Sequence, residues 1–157
     1  MLSFDDTTII SILVGGNYIK KDAGEKAVVA AKRNRARLLD YLYSEKLITK
    51  DLWGQAVAES LKVPYFDLNS HQPTREQVLA IPEKTAKTYR VVIFKQEKKT
   101  TAVSTDDPTQ KGLADEIKKI IKGAVTIGYS LPEDIDEAYL QYRKALEGKF
   151  VQLAKEK

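Results

Sequence analysis

The sequence predicts an α+β fold: an N-terminal four-helix module built from two helix-turn-helix repeats, then a small mixed α/β unit with about three to four strands. Three observations predict it. The first sixty residues carry apolar positions at helical spacing. That stretch repeats itself at an offset of 29 residues, Thr8 falling on Arg37. Beyond Val63-Pro64 the pattern changes to short β-branched runs alternating with helical ones. The expected division is a helical module over 1–62, an α+β domain over 63–147 and a tail or linker over 148–157.

In the helical module, Leu52, Trp53, Ala56, Val57 and Leu61 recur at helical spacing, and Thr49 precedes them as a cap for free backbone N–H groups. Leu38, Leu39 and Leu42 form a second stripe, and Lys20 to Ala31 is rich in good helix formers. Six pairs are identical across the offset: Leu13/Leu42, Ile19/Ile48, Lys21/Lys50, Asp22/Asp51, Ala27/Ala56 and Val28/Val57. Each unit reads as helix, turn (Gly15-Gly16-Asn17 or Ser44-Glu45-Lys46) and helix, and neither buries its apolar face alone.

Val63 to Leu68 reads as extended, because proline and alternating aromatics disfavour a helix. Thr74-Arg75-Glu76-Gln77 is a capping box, and Pro82 opens a helix running to Tyr89. Val91 to Phe94 and Thr100 to Ser104 are strands joined as a hairpin through Gln96-Glu97-Lys98-Lys99. Asp107-Pro108 is expected to start a helix with Leu113, Ile117, Ile120 and Ile121 inside, ended by Gly123. Ala124 to Tyr129 is another strand. Ser130-Leu131-Pro132-Glu133 reads as a second capping box, opening a helix that carries Leu131, Ile135, Ala138, Tyr139, Tyr142 and Leu146 and stops at Gly148.

Composition narrows the chemistry. Among 157 residues there is no Cys and a single His, His71. Cysteine zinc sites, iron–sulfur clusters, disulfides and thiol nucleophiles are excluded. A triad or histidine metal site would have to use His71, which sits in the polar loop Ser70-His71-Gln72. The formal charge of +4 is spread along the chain and reads as a solvated surface, not a nucleic-acid footprint. The run Ile9 to Val14 is too short to span a bilayer and follows Asp5 and Asp6, so no membrane insertion and a cytoplasmic location are expected. The phosphate-loop pattern G-x-x-x-x-G-K-[ST] is absent, and no catalytic constellation assembles; the expectation is no catalytic residue, no metal and no enzyme. Gly15-Gly16 reads as a helix-ending turn with a phosphate nest as the alternative, and Asp106-Asp107 as a helix N-cap with a metal or acid–base pair as the alternative. Lys32-Arg33-Asn34-Arg35-Ala36-Arg37, the densest basic cluster, reads as an inter-helix linker with an anion contact as the alternative.

Leu38-Leu39 through Leu47-Ile48-Thr49 and Ala56-Val57-Ala58-Glu59, followed by Val63 to Leu68, resembles the N-terminal domain of the GspE/PilB-type ATPases of type II secretion and type IV pili. Ile81-Pro82-Glu83, Ala86 and Tyr89-Arg90-Val91 resemble that family's "IPE..A..Y.V" segment. Ala102 to Thr109 resembles its "vA..DP.d" turn, and Ser130, Glu133 to Ile135, Ala138 and Tyr142 its closing helix. The resemblance implies a regulatory and docking domain ahead of an ATPase. Its implied partners are a platform protein of the GspL/PilM type at the inner membrane and the C-terminal ATPase domain of the same polypeptide where the chain is a fragment. No nucleic-acid partner is expected, because the excess of basic charge is small and no reading helix is evident.

Some members of that family carry a tandem helical motif that binds cyclic di-GMP, with units opening "RLG", a central Gly, a terminal Gln and a five-residue spacer. The repeat matches this layout as 8–31, spacer 32–36 and 37–60. The side chains are largely changed: Arg37-Leu38 keeps the opening pair, but Leu39, Lys46 and Ser60 replace the second Gly, the central Gly and the Gln, while Thr8 and Ala31 stand at the ends of the first unit. Arginine offers a planar fork, glycine a close backbone approach and glutamine amide hydrogen bonds, so the implied site is poor. Cyclic di-GMP sensing is the alternative function, with Arg37 as its surviving contact; otherwise no cofactor is expected.

Overall fold

The computed structural model describes residues 2–156. The chain divides into two compact units, Met1–Tyr65 and Phe66–Lys157.

The first unit is helical: α1 Asp6–Gly15, α2 Lys21–Arg33, α3 Leu38–Ser44 and α4 Lys50–Ser60. The repeat is visible in three dimensions. The ends of α1 and α3 and the starts of α2 and α4 fall at the same offset, and Leu13 and Leu42 are both completely buried. Ile9, Ala27, Ala31, Leu38, Ile48, Trp53, Ala56 and Val57 complete the core, with Phe4 set edge-on to Trp53 at 5.5 Å. Leu52 departs from the expected stripe. It lies in the first turn of α4 and is 41% exposed, while its neighbour Trp53 turns inward.

All four helices end in the same way. The residue after each C-cap is left-handed: Asn17 (φ 62), Arg35 (φ 53), Lys46 (φ 57) and Lys62 (φ 59). The N–H that follows it reaches back five residues, in Tyr18→Leu13, Ala36→Ala31, Leu47→Leu42 and Val63→Ala58, at 2.8–3.0 Å. This paired closure satisfies carbonyls that a helix end otherwise leaves open. The caps at the starts are equally local: Asp5 accepts from Thr8 N and Thr49 from Leu52 N.

The second unit holds α5 Arg75–Leu79, α6 Glu83–Tyr89, β1 Val91–Gln96, β2 Thr100–Thr105, α7 Leu113–Ile120, β3 Ala124–Tyr129, α8 Pro132–Ala138 and α9 Leu140–Glu156. The sheet order is β1-β2-β3. β1 and β2 form the expected antiparallel hairpin, with a bulge between Ile93 and Lys95, and β3 runs parallel to β2 with Thr100 opposite Ala124 and Thr105 opposite Tyr129. A parallel neighbour requires a crossover, and α7 provides it. Val78, Ile81, Ala86, Val91, Ile93, Val103, Leu113, Ile117 and Ile135 are the buried centre.

Several expectations are corrected here. The helix expected from Asp107-Pro108 begins only at Leu113, after a left-handed Gly112 (φ 77). Asp107 instead closes its own turn by accepting from Thr109 N at 3.0 Å, the local bond by which aspartate competes with helix. α7 stops at Ile120, before Gly123, whose φ of 95 belongs to the turn into β3. The capping box at Thr74 forms with Gln77. The one at Ser130 does not: Leu131 is the N-cap, and the buried Ser130 hydroxyl donates to Phe66 C=O. Two expectations stand unchanged: Val63 to Leu68 forms no helix, and the sheet has three strands. The closing helix is broken at Tyr139 into α8 and α9, and α9 continues through Gly148 to Glu156 where a tail was expected. Leu146, carried on the expected apolar stripe, is 56% exposed. The expected tail also includes Lys157, which lies outside the described residues.

Candidate functional site

Three regions carry side chains that the packing alone does not explain. The first is the basic linker. Arg37 is the exposed N-cap of α3 and, in the described residues, makes no side-chain capping bond. Lys32, Arg33 and Arg35 are also exposed, at the C-terminus of α2, where the helix dipole favours cations. Lys46, which the resemblance sets at the motif's central Gly, is left-handed, as is Asn17 at the equivalent place in the first unit. The backbone demand for glycine therefore persists although the glycine does not. Gly15-Gly16 is the helix-ending turn: Gly16 N–H donates to Ile12 C=O, and a Cβ on Gly16 would lie 2.7 Å from the Tyr18 ring.

The second region is an arginine clamp that sequence reasoning missed. Arg90 closes α6 in a left-handed conformation (φ 58) and turns its guanidinium onto three partners. Nε donates to Asp106 Oδ2 at 2.8 Å, a terminal nitrogen donates to Pro132 C=O at 3.2 Å, and the other terminal nitrogen pairs with Asp136. The guanidinium also lies 5.7 Å from the Tyr139 ring centre. The Asp106 side chain is fully buried. Burial pushes its carboxyl above the ordinary value, and Arg90 pulls it back. Burial works against the charge on Arg90 too, but Asp106 and Asp136 hold its pKa above the usual value. Asp106 is thus a structural counter-ion and not the helix cap expected of it. The pair is 16 residues apart and Asp136 is 46 away, so no local pattern signals it. The only hint is that Arg90 and Asp106 fall inside two of the resemblance segments.

The third region is α9. Tyr142 and Tyr139, at and just before its start, are buried. Tyr139 Oη donates toward Ala86 C=O (2.6 Å) and Val91 C=O (3.2 Å); Tyr142 Oη does the same toward Ile81 C=O (2.6 Å) and Val78 C=O (2.8 Å). These hydroxyls fasten the start of the helix to α5, to the turn at Ile81, to α6 and to the first residue of β1. The same stripe then leaves the body: Leu146, Phe150 and Leu153 follow at helical spacing, exposed at 56, 64 and 57%. An open groove of about 350 Å³ between α6 and α9, lined by Glu83, Lys87, Asp136, Arg143 and Leu146 among others, leads into that stripe.

Among the described residues, no group of three His, Cys, Asp or Glu side chains could hold a metal ion. His71 is exposed and edge-on to Phe94 at 5.2 Å, and Phe94 stacks on Phe66 at 4.7 Å. A polar cavity of about 120 Å³ beside Gln72, Asp134 and Gln141 falls below the roughly 300–1,000 Å³ typical of ligand sites.

The chain belongs to the MshEN domain family, whose model matches residues 61–149. That is the class of N-terminal domains of type II secretion and type IV pilus assembly ATPases that the sequence resembles. The chain is similar to MshE solved with cdg, at 18% identity and a TM-score of 0.54, over 85% of this chain and 97% of that one. It is also similar to the N-terminal domain of XpsE in two crystal forms, at 17 and 15% identity and TM-scores of 0.49 and 0.46, each over 90% of this chain and 98% of that one. No curated protein matches it. The family match takes in the second unit as far as Lys149 and only Leu61 to Tyr65 of the first, so the repeat lies outside it.

Proposed function

We propose that this chain is a regulatory docking domain of a secretion or pilus assembly ATPase and that it binds a platform protein of the GspL/PilM type. It acts by binding, without turnover of its own. The observation that carries the reading is the α9 stripe: a helix pinned at one end by two buried tyrosines presents Leu146, Phe150 and Leu153 to solvent at the other. Apolar side chains in register on one helix face are what a groove on a partner takes up. Among the described residues no helix is long and apolar enough to cross a membrane, so on this reading the partner places the chain at the inner membrane from its cytoplasmic side. Calorimetry against the cytoplasmic part of the platform protein tests it. Binding should weaken at least tenfold in Phe150→Asp with the far-ultraviolet spectrum unchanged; no heat with the unaltered chain rejects the docking role.

A second reading is favoured by the likeness to MshE, solved with cdg, that is, cyclic di-GMP. The helical repeat would hold the dinucleotide, with Arg37 contacting phosphate or guanine. It predicts saturable binding that Arg37→Ala weakens. A titration silent up to near-millimolar cyclic di-GMP rejects it.

A further inference from the structure

The two edges of the sheet are treated differently. β1 ends on Lys95, Gln96 and the following Glu97, and carries a bulge. These are the usual guards against stray strand pairing. β3, Ala124 to Tyr129, has no charge, no proline and no bulge, and Thr126 is exposed on it.

The hydrogen bonds give its outward groups. Ala124 N–H donates to Lys99 C=O at 3.1 Å and Ser130 N–H to Thr105 C=O at 3.0 Å, so the even-numbered residues turn their backbone groups toward β2. By the two-residue alternation of a strand, Val125, Ile127 and Tyr129 turn theirs outward. Phe66 N–H takes the Tyr129 carbonyl at 2.8 Å. Among the described residues no hydrogen bond reaches the outward groups of Val125 and Ile127.

We infer that this edge is an interaction surface for a second copy of the same strand, paired antiparallel about a two-fold axis through Thr126. The register is self-complementary. With Thr126 opposite its copy, Val125 falls opposite Ile127 of the second chain and Ile127 opposite Val125. Each pair exchanges two backbone hydrogen bonds, which uses the N–H and C=O of both residues completely. The side chains agree: Val meets Ile on the half-buried face and Thr meets Thr on the exposed one, pairings that favour a sheet, and no like charges face each other. The length agrees as well. Tyr129, already occupied by Phe66, would face Gly123 of the second chain, where the backbone (φ 95) has turned out of the strand. The open edge thus has the extent that a symmetric pair uses, and the product is one six-stranded sheet.

The chain has no native cysteine, so a single introduced thiol reports the register directly. Thr126→Cys should give a disulfide-linked dimer on mild oxidation in at least several-fold greater yield than Thr109→Cys, an exposed site away from the edge. Thr126→Lys and Thr126→Glu, each placing like charges opposite one another, should sediment as monomers, and their equimolar mixture should recover the dimer. Equal cross-linking from both cysteine variants overturns the inference. So does a Thr126→Lys variant that associates as the unaltered chain does, because a strand from an unrelated protein, or no strand, would then be the edge's occupant.

Discussion

The helical unit and the sheet unit hold themselves together by different means. In the first, the hydrogen bonds that define the architecture are nearly all local: four helices closed by the same left-handed residue and the same backward bond, and caps that reach three residues. In the second, the decisive bonds join residues far apart. Tyr142 reaches Val78 and Ile81, Tyr139 reaches Ala86 and Val91, Ser130 reaches Phe66, and Arg90 reaches Asp106, Pro132 and Asp136. Local closures need only helix formers and an apolar stripe, which many sequences meet. Long-range closures need particular residues at particular places, and Ile81, Ala86, Arg90, Asp106 and Tyr142 all lie within the matched 61–149.

Removing a long-range closure should therefore cost more than altering a local one. The largest effect is expected at Arg90→Ala, which strands the buried Asp106 carboxylate. Such losses run to about 3–5 kcal/mol, read as a lower denaturation midpoint. The sign of the pH dependence follows from burial. Without Arg90 the folded-state pKa of Asp106 rises further above its unfolded value, so the variant's deficit is greatest near neutrality and shrinks as the pH falls toward the carboxylate range. A deficit that grew on acidification would mean the clamp is not what shelters Asp106.

Next comes Tyr142→Phe, which leaves the Val78 and Ile81 carbonyls without their hydroxyl donor at a cost of roughly 1–3 kcal/mol. Burial holds the Tyr142 hydroxyl up to about 12, from an ordinary 10. Its contribution is therefore complete below pH 10 and is lost as the pH rises from 10 toward 12, at up to about 1.4 kcal/mol per pH unit. Alkaline unfolding should be shallower in the phenylalanine variant.

The smallest effect, opposite in sign, belongs to the helical unit. Lys46→Gly relieves a left-handed lysine and should stabilise by roughly 0.5–1 kcal/mol, less whatever the more flexible unfolded chain takes back. Trp53, the chain's single tryptophan, lies buried in this unit and reports its unfolding. A Lys46→Gly transition shifted downward would break the comparison, since the closure would then depend on the lysine itself.

The two units were also unequally legible. The repeat, the hairpin, the Thr49 cap and the Thr74 capping box could be read because each rests on residues within a few positions of one another. Ser130 looked like a cap and Asp106-Asp107 like a helix start because their local patterns are sound, but burial gave Ser130 and Asp106 partners 64 and 16 residues away. Leu52 and Leu146 fit a helical stripe and yet face solvent, since spacing gives the face of a helix and not where its cover ends. Arg37, the side chain that the resemblance pointed to, is exposed at a helix start. The apolar reach of α9 beyond Gly148 could not be read as helix, because a lone glycine there resembles a stop signal.

The docking account is tested most directly by titrating the cytoplasmic part of the platform protein into this chain, with the unaltered sequence and Leu146→Asp/Phe150→Asp side by side and cyclic di-GMP as a separate arm. The account predicts saturable heat with the platform protein that the double variant abolishes while Arg37→Ala leaves it unchanged. Equal heats from the unaltered chain and the double variant, or no heat except with the dinucleotide, would contradict it.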